Sequence, residues 1–186
     1  MASTRDRMID ATVDALRRHG VAGMSFTEIL DASGAARDAI YHHFPGGKLE
    51  LVAEAAQRNG SEVRDLFAAL PGRTPAAVVG EFLRFVRPVV LASVDGQSCA
   101  VAAVALGAEP GSDELRASAE AAFRSWSDTL AARLRATGLT RSAAAELATT
   151  LVTLLEGAHV LCRAEADIAP FDSVASAARR LVTAYG

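Results

Sequence analysis

Arg37, Asp38, Tyr41, His42 and Lys48 are residue types that hydrogen-bond to phosphate oxygens and base edges. They crowd into one stretch, Ser25 to Lys48, SFTEILDASGAARDAIYHHFPGGK. An arginine can read a guanine through two parallel hydrogen bonds, a contact worth about 1–3 kcal/mol of discrimination. Arg37 is the candidate for that role, with a phosphate contact as its other reading. Tyr41 can donate its hydroxyl to a phosphate or pack at a helix end. Lys48 can pair with a phosphate as a point charge or stand solvated. Ser25 and Thr27 offer hydroxyl and N–H groups at a helix start, where anions bind readily; Ser25 serves equally as a cap. Asp38 and His42 can reach bases, and Asp38 can also repel phosphates or hold Arg37 in place.

Two short helices must carry these groups. Ser25 and Glu28 have capping-box spacing, so a helix begins at Phe26, with Ile29 and Leu30 as its apolar side. Gly34 is its natural stop. A second helix of about two turns then carries Arg37 to His43, ended by Pro45-Gly46-Gly47. Ala36, Ile40 and Phe44 recur at helical spacing to seat it on a core, and Ala36 is also counted with the DNA-facing set at its start. Two helices across a glycine turn make a helix-turn-helix, whose second helix can enter a major groove.

These residues resemble a known family. Gly34, Ile40-Tyr41, His43-Phe44 and Lys48 are similar to the signature of the TetR family of bacterial transcriptional repressors, over residues 5 to 52 or so. The form HHFPGGK resembles a subgroup linked to repression of drug-efflux genes. Ala36 stands where many members have a capping serine, Ser33 replaces a more usual alanine, and Asp38 sits where a small residue is common. The resemblance implies a palindromic double-stranded DNA operator, a homodimer and a small hydrophobic effector.

The 186 residues are 51% hydrophobic and 22% charged, the composition of a globular chain with a sizeable core. No uninterrupted apolar run reaches bilayer-spanning length, so no membrane role is expected. The charged start MASTRDRMIDA lacks an apolar signal segment, and Cys99 and Cys162 give no disulfide framework, which together suit a cytoplasmic setting. The net charge of −3, with acids slightly outnumbering bases in the first sixty residues, argues against strong non-specific phosphate attraction. Binding would rest on a few placed cations and helix N-termini.

The remaining chain reads as helices throughout, an all-α fold. The first should run from Thr4 to His19, stopped at Gly20, burying Ile9, Val13 and Leu16 with Thr12 beside them; Phe26 closes that small core. The fourth starts near Lys48 and ends before Pro71-Gly72. Thr74-Pro75 opens a helix apolar around most of its circumference, kinked at Pro88. Further helices span Cys99 to about Ala108, stopped by Pro110-Gly111, then Ser112 to Gly138, Thr140 to about Ala164, and from Asp172 or Ser173 onward. Residues 1–47 would form the DNA-binding domain and 48–186 a helical bundle for ligand binding and dimerisation.

In that bundle Phe82, Phe85, Val86, Val89, Val101, Val104, Phe123, Trp126, Leu154 and His159 can line an apolar cavity, with Trp126 and His159 offering polar handles. The last two long helices pack inside the monomer or pair with a second copy; the resemblance favours the second. No cofactor or metal site is expected, since His159 and Cys162 have no third partner nearby in sequence. Cys99 has no neighbour in sequence to lower its pKa as a redox centre. Two other classes stay open: a helical ligand-binding or detoxifying protein without DNA binding, and a small enzyme using His159 and Cys162.

Overall fold

The protein is described by a computed structural model covering residues 2–108 and 112–185, so the predicted stop at Pro110-Gly111 lies outside the described residues. The described chain is helical: α1 Thr4–Gly23, α2 Phe26–Ser33, α3 Ala39–His43, α4 Gly47–Ala68, α5 Pro75–Leu91, α6 Ala100–Gly107, α7 Asp113–Arg135, α8 Arg141–Glu165 and α9 Ala169–Val182, with a closing 3₁₀ turn at Thr183–Tyr185. Contacts divide it into two compact units, Met1–Ser61 with Cys99–Ala122 (the head) and Glu62–Ser98 with Phe123–Gly186 (the body). The division falls within α4 and α7.

In the head, Ser3 opens α1 through a reciprocal cap: its hydroxyl accepts from the Asp6 N–H at 3.1 Å and its own N–H donates to the Asp6 carboxylate at 3.2 Å. Met8, Ile9, Thr12, Val13, Ala15 and Leu16 are buried, and the Thr12 hydroxyl donates to the Met8 carbonyl at 2.8 Å. The stop expected at Gly20 is a kink instead. Gly20 adopts φ 65°, ψ −176°, which a residue without Cβ accepts, and helix resumes beyond it. Val21, past the kink, meets α6 so closely that a Cβ on Gly107 would lie 2.8 Å from its own Cβ.

Ser25 caps α2 by accepting from the Glu28 N–H at 3.2 Å, but the Glu28 carboxylate turns to His19 Nε2 at 3.1 Å instead of closing the box. Gly34 ends α2 in the left-handed conformation, φ 65°, its N–H returning to the Leu30 carbonyl. The second motif helix is shorter than its pattern predicts. Arg37 and Asp38 form a turn, in which the Ala39 N–H donates to the Ala36 carbonyl, and α3 begins only at Ala39. Neither Ala36 nor Asp38 caps it: alanine has no acceptor and the Asp38 side chain makes no cap bond. Ala36 is exposed, so Ile40 and Phe44 alone seat α3, at 1% and 0% exposure.

In the body, Thr74 caps α5 by accepting from the Ala77 N–H at 3.2 Å, and the helix continues through Pro88 to Leu91. It is less central than its composition suggests, because Val89 and Leu91 are exposed. Phe67, at the end of α4, joins an edge-to-face cluster with Phe82, Phe85 and Trp126, its ring centroid 5.3, 6.1 and 6.1 Å from theirs. Arg133 of α7 fixes the turn after α4, donating from Nη2 and Nε to the Leu70 carbonyl at 2.8 and 3.0 Å. α9 starts before the predicted Asp172, because Pro170 suits a first turn and the Asp167 carboxylate accepts from the Ala169 N–H at 2.8 Å.

α8 is long and apolar enough, by length and composition, to cross a bilayer, although no uninterrupted run in the sequence is. The two fit together because its polar residues are spread around an otherwise apolar helix. Here it acts as a core helix, burying Leu147, Leu151, Leu155, Ala158 and Cys162.

Two outcomes follow. The Asp6 carboxyl is held below its ordinary 3.8, first by the Ser3 hydroxyl at 2.7 Å, then by the Ser3 N–H and by Arg58 at 3.2 Å. A depressed carboxyl stabilises the fold above its unfolded pKa and loses that contribution as pH falls through the folded one. A carboxyl-carbon NMR titration should therefore place the Asp6 midpoint below 3.8, and Ser3→Ala should move it upward; an unchanged midpoint contradicts the cap. Arg133→Met should lower the urea midpoint by an amount equivalent to about 1–2 kcal/mol with unchanged slope, because a charged donor pair is lost from a half-buried carbonyl.

Candidate nucleic-acid interface

The core contacts of Ile40 and Phe44 decide which side of the motif faces out. With those two buried, Ser25, Thr27, Ala36, Arg37, Asp38, Tyr41 and His42 are all exposed. Tyr41 is 66% exposed, and its ring stands edge-on to Phe26 at 6.3 Å. Phe26 is thus half-buried and braces Tyr41, where the sequence suggested that it closes the small core. His42 stands against His43, ring centroids 5.0 Å apart. Phe44 is further held by Arg5, whose guanidinium carbon sits 5.1 Å from the ring centroid while its Nη2 pairs with Glu54.

Lys48 is half-buried, and its ammonium donates to the Met24 carbonyl at 3.2 Å. That places the charge just ahead of the Ser25 cap, beside the start of α2, and leaves two of its three donors for other acceptors. Lys48 is the only lysine in the chain. The start of α4 is occupied differently from expectation, because the Glu50 carboxylate accepts from the Gly46 N–H at 2.7 Å. Anion-binding capacity therefore gathers at α2, where Ser25, Thr27 and Lys48 meet, instead of at α4.

The cations sort themselves by partner. Arg5 pairs with Glu54, Arg17 with Asp14, and Arg58 with Asp6 and Asp10, while Arg7 donates to the Ser33 carbonyl. Arg37 has no hydrogen-bond or ion-pair partner among the described residues, and Asp38 does not hold it. Its donors are uncommitted on an exposed turn. Such a surface offers phosphate contacts from α2 and Lys48, with Arg37, Tyr41 and His42 alongside to reach bases or backbone.

Two family models match the chain. Residues 8–55 match the bacterial regulatory proteins of the tetR family, and residues 75–177 match the C-terminal domain of LmrA/YxaF-like transcriptional regulators. The chain belongs to the TetR family. An uncharacterized HTH-type transcriptional regulator of Mycobacterium tuberculosis is 32% identical, with 99% of this chain and 96% of that protein covered. The crystal structure of a TetR transcriptional regulator from Legionella pneumophila shares the fold at a TM-score of 0.81 and 17% identity, covering 98% and 97% of the two chains. A cysteine mutant of the TetR family regulator CifR, solved with a 26bp double-strand operator DNA, matches at a TM-score of 0.72 and 22% identity, with 97% of each chain covered. TetR-family proteins are transcriptional regulators and not enzymes.

The predicted effector-lining residues are distributed unevenly. Phe82, Val86, Trp126 and His159 are buried in the body, with Phe85, Phe123 and Leu154 half-buried there. Phe123 stacks edge-on to Trp126 at 5.1 Å. Val89 departs from the expectation, lying 46% exposed on the outward side of α5 with Arg87 and Pro88. Val101 and Val104 are buried in the head unit. The sequence reading missed two participants. Phe67 is the hub of the aromatic cluster, signalled only as one apolar position near the end of α4. Ser93 bonds to His159 Nδ1 at 2.6 Å, and a serine after an apolar helix carries no mark of that partnership.

Proposed function

We propose that this TetR-family protein is a homodimeric repressor that binds a palindromic operator and leaves it when a small, largely apolar effector binds. The observation that carries this reading is the outward face of the motif, Arg37, Tyr41 and His42, set beside the Ser25, Thr27 and Lys48 group. The helix-turn-helix would read the major groove as one head per half-site, and the operator complex of CifR supports the same use of this fold. The HHFPGGK stretch places the target genes, in this proposal, among those for drug efflux, and the setting is the cytoplasm. The effector would occupy the helical bundle of residues 48–186 among Phe67, Phe82, Phe85, Phe123, Trp126 and His159. α4 begins with the Lys48 contact and runs on to Phe67, so a shift of that helix would alter the DNA-facing groups. The coupling is reciprocal: operator weakens effector binding by the factor by which effector weakens operator binding.

A dimer follows from the affinity that one short recognition helix lacks. Two heads can read successive major grooves about 34 Å apart. The surface that suits a second copy is on α8 and α9, where Gly157, Val160, Leu161, Ala177 and Leu181 are exposed at helical spacing. Val160 is 63% exposed, an unusual position for valine unless another chain covers it. A Cβ on Gly157 would meet nothing within 4 Å, leaving room for a close approach.

Footprinting on the DNA beside the gene, repeated with a panel of hydrophobic compounds, tests the whole reading. Tyr41→Ala with Lys48→Ala should lose operator binding while helicity and the dimer persist, and Lys48→Ala alone should reduce the salt-dependence slope by about two per dimer, one phosphate per protomer. Retained operator affinity in the double variant contradicts the assigned contacts. Val160→Glu with Leu161→Glu should sediment as a folded monomer and bind operator weakly; a wild-type chain that is itself monomeric at micromolar concentration removes the dimer from the proposal.

A further inference from the structure

The serines that open α1 and α2 stand at the same spacing from an acid, Ser3 from Asp6 and Ser25 from Glu28, yet the two helix starts are finished differently. At α1 the acid returns to the cap and accepts from the Ser3 N–H at 3.2 Å. Ahead of α4 the Glu50 carboxylate likewise accepts from the Gly46 N–H at 2.7 Å. A carboxylate in that place satisfies the donor and offsets the partial positive charge of the helix start, so a second anion has little to gain there. At α2 the cap is only half made. The Ser25 hydroxyl accepts from the Glu28 N–H at 3.2 Å, while the Glu28 carboxylate lies against His19 Nε2 at 3.1 Å. The Ser25 N–H donates to none of the described residues.

We propose that His19 is a positioning residue for DNA binding: by drawing Glu28 aside it keeps the start of α2 open to a phosphate. This rests on the DNA-binding reading above. The Ser25 N–H and the Thr27 hydroxyl are then left for an external anion, beside the Lys48 ammonium at 3.2 Å from the Met24 carbonyl. Removal of the imidazole frees the Glu28 carboxylate to follow the Ser3–Asp6 pattern and close onto the Ser25 N–H. That donor is then occupied, and a like charge stands where the phosphate must sit.

The backbone around His19 serves this placement. His19 is the last residue before the Gly20 kink, and Gly23 leaves it room, since a Cβ there would lie 3.0 Å from the His19 Cβ. Met24, 4% exposed, anchors the chain one residue ahead of the Ser25 cap. The His19 and Glu28 side chains remain 43% and 34% exposed, and a pair so open to solvent adds little to stability. Holding the fold together is therefore a poor account of it.

Fluorescence anisotropy of the full chain with a labelled duplex carrying the footprinted DNA beside the gene tests this. His19→Ala should weaken binding about tenfold, as a charge-assisted hydrogen bond to phosphate is lost. Its melting temperature should hold or rise, because the closed box replaces the lost pair. Glu28→Ala added to His19→Ala should restore binding to within about twofold of wild type. His19→Gln, which can still donate to Glu28, should keep wild-type binding. Wild-type affinity in His19→Ala, a loss that Glu28→Ala does not reverse, or a loss accompanied by a melting temperature several degrees lower overturns the role of His19 alone. A wild-type chain that binds no duplex overturns the DNA-binding reading with it.

Discussion

The burial of Ile40 and Phe44 is the constraint on which the rest depends. α3 is only five residues long, too short to persist by helix propensity. Two side chains at 1% and 0% exposure hold it, one of them braced by Arg5, and their orientation fixes which residues point away from the core. Arg37, Tyr41 and His42 face out because Ile40 and Phe44 face in. No separate device is needed to present them.

The electrostatics of the head follow the same economy. Its net charge gives no general attraction to a polyanion, and most of its arginines are tied to acids or carbonyls that hold α1, α2 and α4 in register. What remains for an external partner among the described residues is Arg18, Arg37 and the unused donors of Lys48. A head of this kind depends on placement for its affinity, so pairing two heads matters more than it would for a strongly basic domain. The apolar, exposed strip of α8 and α9 meets that need in the proposed dimer.

Much of this was legible in the sequence because local chemistry and tertiary packing agree. Ser25, Gly34, Thr74 and Thr140 all act at helix ends as their types and spacing dictate, and the stripe of α1 is buried as its period requires. The pattern gave way where a tertiary partner or backbone freedom competed with it. Glu28 closes no box because His19 claims its carboxylate, and Gly20 kinks α1 without ending it. Arg37 lies in a turn because Ala36 provides no cap, a deficit visible in the sequence but outweighed there by periodicity. Ser93 and Phe67 were invisible as participants, since their roles depend on what lies across the fold and not along the chain.

The central claim is that two copies of one small head read DNA in register. Selection of bound sequences from a random double-stranded pool, with the purified full-length chain, tests it most directly. The account predicts enrichment of an inverted repeat whose half-sites are separated by about one helical turn or a multiple of it. Enrichment of nothing, or of a single half-site without symmetry, contradicts it.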